Sequence, residues 1–208
     1  MQLDFTLYPV TCEKLSKGRS NYDVLEQLIA AGIKIVQLRE KDLSKTELYE
    51  MAVKFREITN RAGVLLIIND DIELALKIKA DGVHLGQEDL PCSVARKLAP
   101  NLIIGVSTHN LEQALKAQED GASYVNLGPI FDTKTKGQLI KGLGVNLISE
   151  IAPHLKIPFT VMGGINEKNI HEVLKAGARR IAMVTALTQS SDITKTTRKL
   201  ISKISSFR

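Results

Sequence analysis

Residues 110–127 read NLEQALKAQEDGASYVNL, and this stretch decides the fold. Leu111, Ala114 and Leu115 recur three and four residues apart, the spacing of one helix face. Asp120-Gly121-Ala122 follows, and a Gly just past a helix supplies a left-handed residue without a Cβ clash. Tyr124–Leu127 then forms a short apolar run, the signature of a strand buried on both faces. The same order of helix, Gly and strand recurs at Ala31-Gly32-Ile33, Ala62-Gly63-Val64, Asp81-Gly82-Val83 and Ala176-Gly177-Ala178. Only a parallel sheet with crossover helices uses such a unit repeatedly.

Counting outward, eight apolar runs emerge: Phe5–Val10, Ile33–Leu38, Val64–Ile68, Gly82–Leu85, Leu102–Val106, Tyr124–Leu127, Phe159–Met162 and Ile181–Val184. Helical periodicity fills Asn21–Ala31, Thr46–Ala62, Asn110–Glu119 and Asn166–Ala176. Eight strands alternating with about eight helices predict a (β/α)8 TIM barrel, with residues 1–208 as a single domain. A doubly wound open sheet is the alternative. The first run is followed by Val10-Thr11-Cys12-Glu13 rather than a Gly-rich dinucleotide fingerprint, which disfavours it.

The composition suits a folded globular chain: 44% hydrophobic and 25% charged over 208 residues. The net charge is +5, but the lysines are spread among acids and aromatics make up only 4%. Neither a nucleic-acid track nor a base-stacking surface is expected. A small anionic substrate suits the modest positive excess better. The N-terminus has no basic and apolar leader pattern, no run is long enough to span a membrane, and Cys12 and Cys92 share no motif. These features predict a cytoplasmic protein with free thiols and no membrane partner. A homo-oligomer stays open.

In a parallel barrel the chemistry sits where strands end and βα loops begin. Polar residues concentrate at these places. In Gln37-Leu38-Arg39-Glu40-Lys41, alternation puts Gln37, Arg39 and Lys41 on one face, aimed at the barrel mouth. Their cationic pair suits phosphate oxygens. Asp70 and Asp89 end consecutive strands, and two carboxylates beside such a cluster suit Mg2+. Asp71 reads instead as a helix N-cap. Gly163-Gly164 and Val184-Thr185-Ala186 follow the last two strands, where barrels often cradle a phosphate. Two anion sites imply two phosphorylated substrates or one molecule with two phosphates. His84 reads as a core histidine, while His109, nearer the mouth, could be either structural or an acid–base group.

Gln37-Leu38-Arg39-Glu40-Lys41, Ile68-Asn69-Asp70, Val83–Asp89, Gly105-Val106-Ser107, Gly128-Pro129-Ile130-Phe131 with Thr133, Thr135 and Lys136, and Gly163-Gly164-Ile165 occur in that order. Together they resemble the thiamine phosphate synthase family, from about Phe5 to Leu187. The resemblance implies a barrel that joins hydroxymethylpyrimidine diphosphate to a thiazole phosphate and releases pyrophosphate with Mg2+. It implies that Gln37, Arg39, Lys41, Asn69, Ser107 and Lys136 hold the pyrimidine and its diphosphate, with Arg39, Lys41, Ser107 and Lys136 catalytic. It assigns the metal to Asp70 and Asp89, and the thiazole phosphate to Thr133, Thr135, Gly164, Val184 and Thr185. Cys12, Asn126, Asp132 and Thr185 stand where that family more often carries Asp, Gly, Pro and Ser. A thiazole tautomerase on the same barrel, or a ligand-binding regulator, are the competing expectations. Residues Ile130–Leu143 form the candidate lid.

Overall fold

The structure is a computed structural model and describes residues 3–135 and 137–207. Its strands are β1 (Leu7–Pro9), β2 (Ile35–Leu38), β3 (Leu65–Asn69), β4 (Gly82–Leu85), β5 (Ile103–Thr108), β6 (Tyr124–Leu127), β7 (Phe159–Val161) and β8 (Ile181–Met183). Crossing between them are α1 (Asn21–Ala30), α2 (Lys45–Ala62), α3 (Ile72–Lys77), α4 (Cys92–Leu98), α5 (Leu111–Glu119), α6 (Asn146–Ile151) and α7 (Ile170–Lys175). Two helices follow β8: the single turn α8 (Thr185–Thr188) and the longer α9 (Ile193–Ser205).

Among the described residues the eight strands pair in parallel, and the strand order runs β1-β8-β7-β6-β5-β4-β3-β2. A bridge between Val10 and Gln37 brings β1 back against β2, and the Thr11 N–H donates to the Gln37 carbonyl at 2.9 Å. The eight strands therefore form the predicted barrel. On the outside, α9 lies against α1, where Thr194 and Arg198 donate to the carbonyls of Gln27 and Ala30.

The period-two alternation of the strands sorts their residues into two layers. Val36, Leu38, Leu66, Ile68, Val83 and Val125 join the core beneath the helices. Ile35, Ile67, Ile103 and Tyr124 form a separate inner core with Phe5, Tyr8 and Ala182. Each buried aliphatic side chain in either layer contributes about 1.5–3 kcal/mol. Two residues beyond Ile35, Ile67, Ile103 and Tyr124 stand Gln37, Asn69, Gly105 and Asn126. The same parity that builds the apolar floor thus points polar groups inward above it.

The helix starts follow their sequence signals. Ser20 with Asp23 and Ser44 with Glu47 form reciprocal capping boxes on α1 and α2, each cap contributing about 1 kcal/mol. Gly32, Gly63, Gly121 and Gly177 adopt the positive φ expected of them. Gly82 corrects that pattern. It is the first residue of β4 rather than a helix terminator, and the left-handed residue of that turn is Lys79 at φ 55°. A Cβ at Gly82 would come within 2.5 Å of the Ile103 carbonyl oxygen and 2.6 Å of Ile67 Cδ1. Close packing of neighbouring strands, not turn geometry, requires glycine there.

Candidate active site

A cavity of about 820 Å³ opens at the C-terminal ends of the strands. Gln37, Arg39 and Lys41 all line it, as the alternation predicts. Glu40 faces the other way, accepting from the Glu13 N–H at 2.7 Å and from Asn21 Nδ2 at 2.6 Å. That anchor ties the β2–α2 loop to the start of α1 and leaves the two cations on the cavity side. Arg39 makes no ion pair among the described residues, whereas Lys41 Nζ meets Asp70 Oδ2 at 3.0 Å. Lys41 is thus answered by an acid from the end of the next strand rather than by its sequence neighbours Glu40 or Asp42.

Asp70 has a φ of 63°, a left-handed conformation uncommon outside glycine. Its backbone N–H is held by the His84 carbonyl at 2.8 Å, which turns the chain out of β3. Asp71 does what a cap does: its Oδ1 accepts from the Leu74 N–H at 2.8 Å. The two adjacent acids therefore divide into one that starts α3 and one that lines the cavity. Asp89 Oδ2 accepts from the Gly86 N–H at 2.6 Å. Burial, and then the adjoining Asp70 carboxylate, push the Asp89 carboxyl above its ordinary value. The two carboxylates thus converge at one rim, beside Lys41. Among the described residues no third His, Cys, Asp or Glu completes a metal-binding group. A pair of this kind fits Mg2+, which binds through one or two carboxylates and takes its other ligands from water and substrate phosphates.

Across the mouth, Gly163 and Gly164 have φ of 104° and 63°. A Cβ on Gly164 would stand 2.5 Å from the Asp132 carbonyl oxygen, and one on Gly163 would stand 2.4 Å from Pro129 Cβ. The glycines let the β6–α6 loop press against the end of β7, a reason for them that sequence reasoning had not included. Gly164, Val184, Thr185, Thr133 and Thr135 all line the same cavity. The Thr133 and Thr135 hydroxyls meet at 2.9 Å, and Thr133 pairs with Ile140 through two backbone hydrogen bonds. Asp132 accepts from the Gly142 N–H at 2.7 Å. Its charge staples the base of the loop and lies outside the cavity lining. Lys136, expected among the diphosphate ligands, lies outside the described residues.

The inner floor carries further polar side chains. Asn69 and Ser107 line the cavity. His84 is buried, with Nε2 at 2.9 Å from Ser107 Oγ and Nδ1 at 2.9 Å from the Tyr124 hydroxyl. Tyr124 meets Tyr8 at 3.0 Å, and Gln37 Nε2 donates to Tyr8 at 2.8 Å. His84 is thus the buried histidine expected, and also part of the cavity wall. His109 Nδ1 stands 2.5 Å from the Gly128 carbonyl oxygen, at the mouth. In the sequence Tyr8 and Tyr124 are hidden within apolar runs. The available signal was that a buried phenol needs a hydrogen-bond partner. Asn126 accepts from the Thr160 hydroxyl at 2.8 Å. Cys12 is buried off the cavity, and that burial raises its thiol pKa.

Comparison with known proteins agrees with this geometry. The family model described as thiamine monophosphate synthase matches residues 7–187. The thiamine-phosphate synthase of Caldicellulosiruptor saccharolyticus is 46% identical over 98% of this chain and 92% of its own. That of Chloroflexus aurantiacus is 44% identical over 98% and 94%. Among solved structures, a thiamine phosphate pyrophosphorylase from Pyrococcus furiosus superposes with a TM-score of 0.87, at 34% identity over 96% of each chain. A 3-hexulose-6-phosphate synthase, 21% identical with a TM-score of 0.69, shares the fold alone. With its barrel, its strand-end residues and these full-length likenesses in agreement, the chain belongs to the thiamine monophosphate synthase family.

Proposed function

We propose that the chain performs its family's reaction by a leaving-group-first substitution. Hydroxymethylpyrimidine diphosphate loses its diphosphate, the C–O bonding pair departing with the leaving group. The thiazole nitrogen then gives its lone pair to the resulting pyrimidine carbocation, yielding thiamine phosphate and pyrophosphate. The observation that carries this reading is the meeting of Asp70, Asp89 and Lys41 at one edge of the cavity lined by Arg39. A binding protein gains little from two adjacent carboxylates, of which burial and Asp70 hold Asp89 above its ordinary value. A metal-assisted departure of diphosphate uses them directly.

On this reading Arg39 and Lys41, with Lys136, bind the diphosphate oxygens and hold them while negative charge grows in the transition state. Asp70 and Asp89 would hold Mg2+, which when bound supplies further neutralisation of that charge. Gln37, Asn69 and Ser107 orient the pyrimidine. Thr133, Thr135, Gly164, Val184 and Thr185 hold the thiazole phosphate across the cavity. No side-chain nucleophile is required, so positioning of the two substrates is the remaining contribution. The substrates are small phosphorylated compounds, and the reading includes a cytoplasmic setting in which Cys12 and Cys92 persist as free thiols. None of the described helices is long and apolar enough to cross a membrane. The thiazole tautomerase alternative needs neither carboxylate. The test mixes purified protein, both phosphorylated substrates and Mg2+. Thiamine phosphate with one pyrophosphate per turnover is the expected result, and absence of product with Mg2+ present overturns the reading.

A further inference from the structure

Five side chains from five strands form a continuous chain of hydrogen bonds across the barrel: Gln37, Tyr8, Tyr124, His84 and Ser107. Gln37 and Ser107 line the cavity and, in the function proposed above, touch the pyrimidine. Tyr8 and Tyr124 are fully enclosed, and His84 is nearly so. The function so far gives these three no work.

Counting hydrogens shows what they can do. A hydroxyl has one hydrogen, and a neutral imidazole has one N–H and one bare nitrogen. With the Gln37 amide N–H donated to Tyr8, Tyr8 gives its hydrogen to Tyr124, and Tyr124 gives its own to His84 Nδ1. The imidazole hydrogen then sits on Nε2 and goes to Ser107 Oγ. Ser107 is left with a hydrogen to offer the cavity, and Gln37 with its carbonyl oxygen. A half-turn of the Gln37 amide reverses every bond. Ser107 then offers a lone pair, and Gln37 an N–H. Mixed arrangements leave two hydrogens opposed, or a buried hydroxyl without an acceptor, and are disfavoured. Burial also keeps both phenols protonated through the neutral range, since it raises each well above its ordinary value. Both phenols therefore keep the hydrogens that this count gives them.

We propose that Tyr8, Tyr124 and His84 are positioning residues that couple Gln37 to Ser107, so that the site always presents a hydrogen-bond donor at one end and an acceptor at the other. An aminopyrimidine carries both N–H groups and bare ring nitrogens, and it suits such a paired display. This inference rests on the proposed function for the identity of the heterocycle.

The test is a double-mutant cycle measured in two backgrounds. Gln37→Ala, Ser107→Ala and the double variant are assayed for kcat and KM with the pyrimidine diphosphate, first in the otherwise natural chain and then with Tyr124→Phe. Residues coupled through the relay lose together, so in the natural background the double variant falls short of the product of the single losses by tenfold or more. In the Tyr124→Phe background the losses multiply. Equal coupling in both backgrounds, or none in either, overturns the inference. Tyr8→Phe cuts the same chain at another link and replaces Tyr124→Phe should the latter not fold. Binding of inorganic pyrophosphate verifies that each variant retains the rest of the site. An unmutated protein that makes no thiamine phosphate would refute the proposed function, whereas an active protein without coupling would refute only this inference.

Discussion

Replacing Gly105 by alanine tests how tightly the floor of the site is built. The new Cβ would lie 2.1 Å from Tyr124 Cζ, 2.3 Å from its hydroxyl and 2.6 Å from His84 Nδ1. Ordinary contact begins near 3.4 Å, so the phenol must retreat by more than an ångström. It cannot do so and keep its bonds of 2.9 and 3.0 Å to His84 and Tyr8. Overpacking of this kind costs about 1–3 kcal/mol. Each buried polar group that loses its partner adds about 1–3 kcal/mol. Alanine's advantage over glycine in a strand returns only about 0.5–1 kcal/mol. The net loss is roughly 2–6 kcal/mol, a large part of the ~5–15 kcal/mol that holds a domain of this kind together. At about 2–4 °C per kcal/mol for a chain of this length, the melting temperature falls by roughly 4–24 °C. Urea unfolding with an unchanged slope, together with thermal melts, measures the effect. Tyr124→Val in the same chain removes the two closest contacts and leaves only His84 Nδ1 at 2.6 Å, so the two losses should be less than additive. A Gly105→Ala protein that melts within a degree or two of the parent, or strict additivity with Tyr124→Val, would refute the packing argument.

Other consequences follow from the rim and its loop. Burial and Asp70 raise the folded pKa of Asp89, so the folded chain holds that proton more tightly than the unfolded chain, and ionisation works against the fold. Asp89→Asn should therefore stabilise the metal-free protein at neutral pH, with the gain fading as pH falls through the raised folded value and gone below the ordinary carboxylate value. Urea midpoints at pH 7 and pH 3 measure it, and a loss of stability at pH 7 would contradict it. Asp71→Ala removes the α3 cap and should cost about 1 kcal/mol with turnover retained, while Asp70→Asn should keep the fold and lower kcat by orders of magnitude. Equal kinetic effects would erase the distinction between these neighbours. Asp132→Ala releases the Gly142 N–H and should raise KM for the thiazole phosphate more than it lowers kcat. An unchanged KM would remove the staple from the account.

The fold was legible because its signals are local and repeated. The apolar run of Tyr124–Leu127 and the helix periodicity before it need no tertiary context. The alternation that sends Gln37, Arg39 and Lys41 into the cavity while Glu40 turns away is equally local. What escaped depends on distance in sequence. Gly82 looked like a helix stop because Asp-Gly precedes a strand, and only Ile103 and Ile67 pressed against it reveal the other reason. Gly163 and Gly164 likewise answer to Pro129 and Asp132 across the mouth. Tyr8 and Tyr124 lie 116 positions apart, and no pattern in either strand announces that their hydroxyls meet. By sequence Lys41 is one of a pair of anion-binding cations, yet its partner Asp70 comes from the next strand. Residues that carry chemistry were thus visible by type and position, whereas the contacts tuning them came from the closure of the barrel.

The convergence of Asp70 and Asp89 supports the whole functional account. Titrating Mn2+ into the protein in the presence of inorganic pyrophosphate, and following the free ion by electron paramagnetic resonance, tests it most directly. The account predicts that pyrophosphate tightens Mn2+ binding to the natural chain, and that Asp70→Asn and Asp89→Asn each abolish the tightening. Binding of the same strength in all three proteins would contradict it.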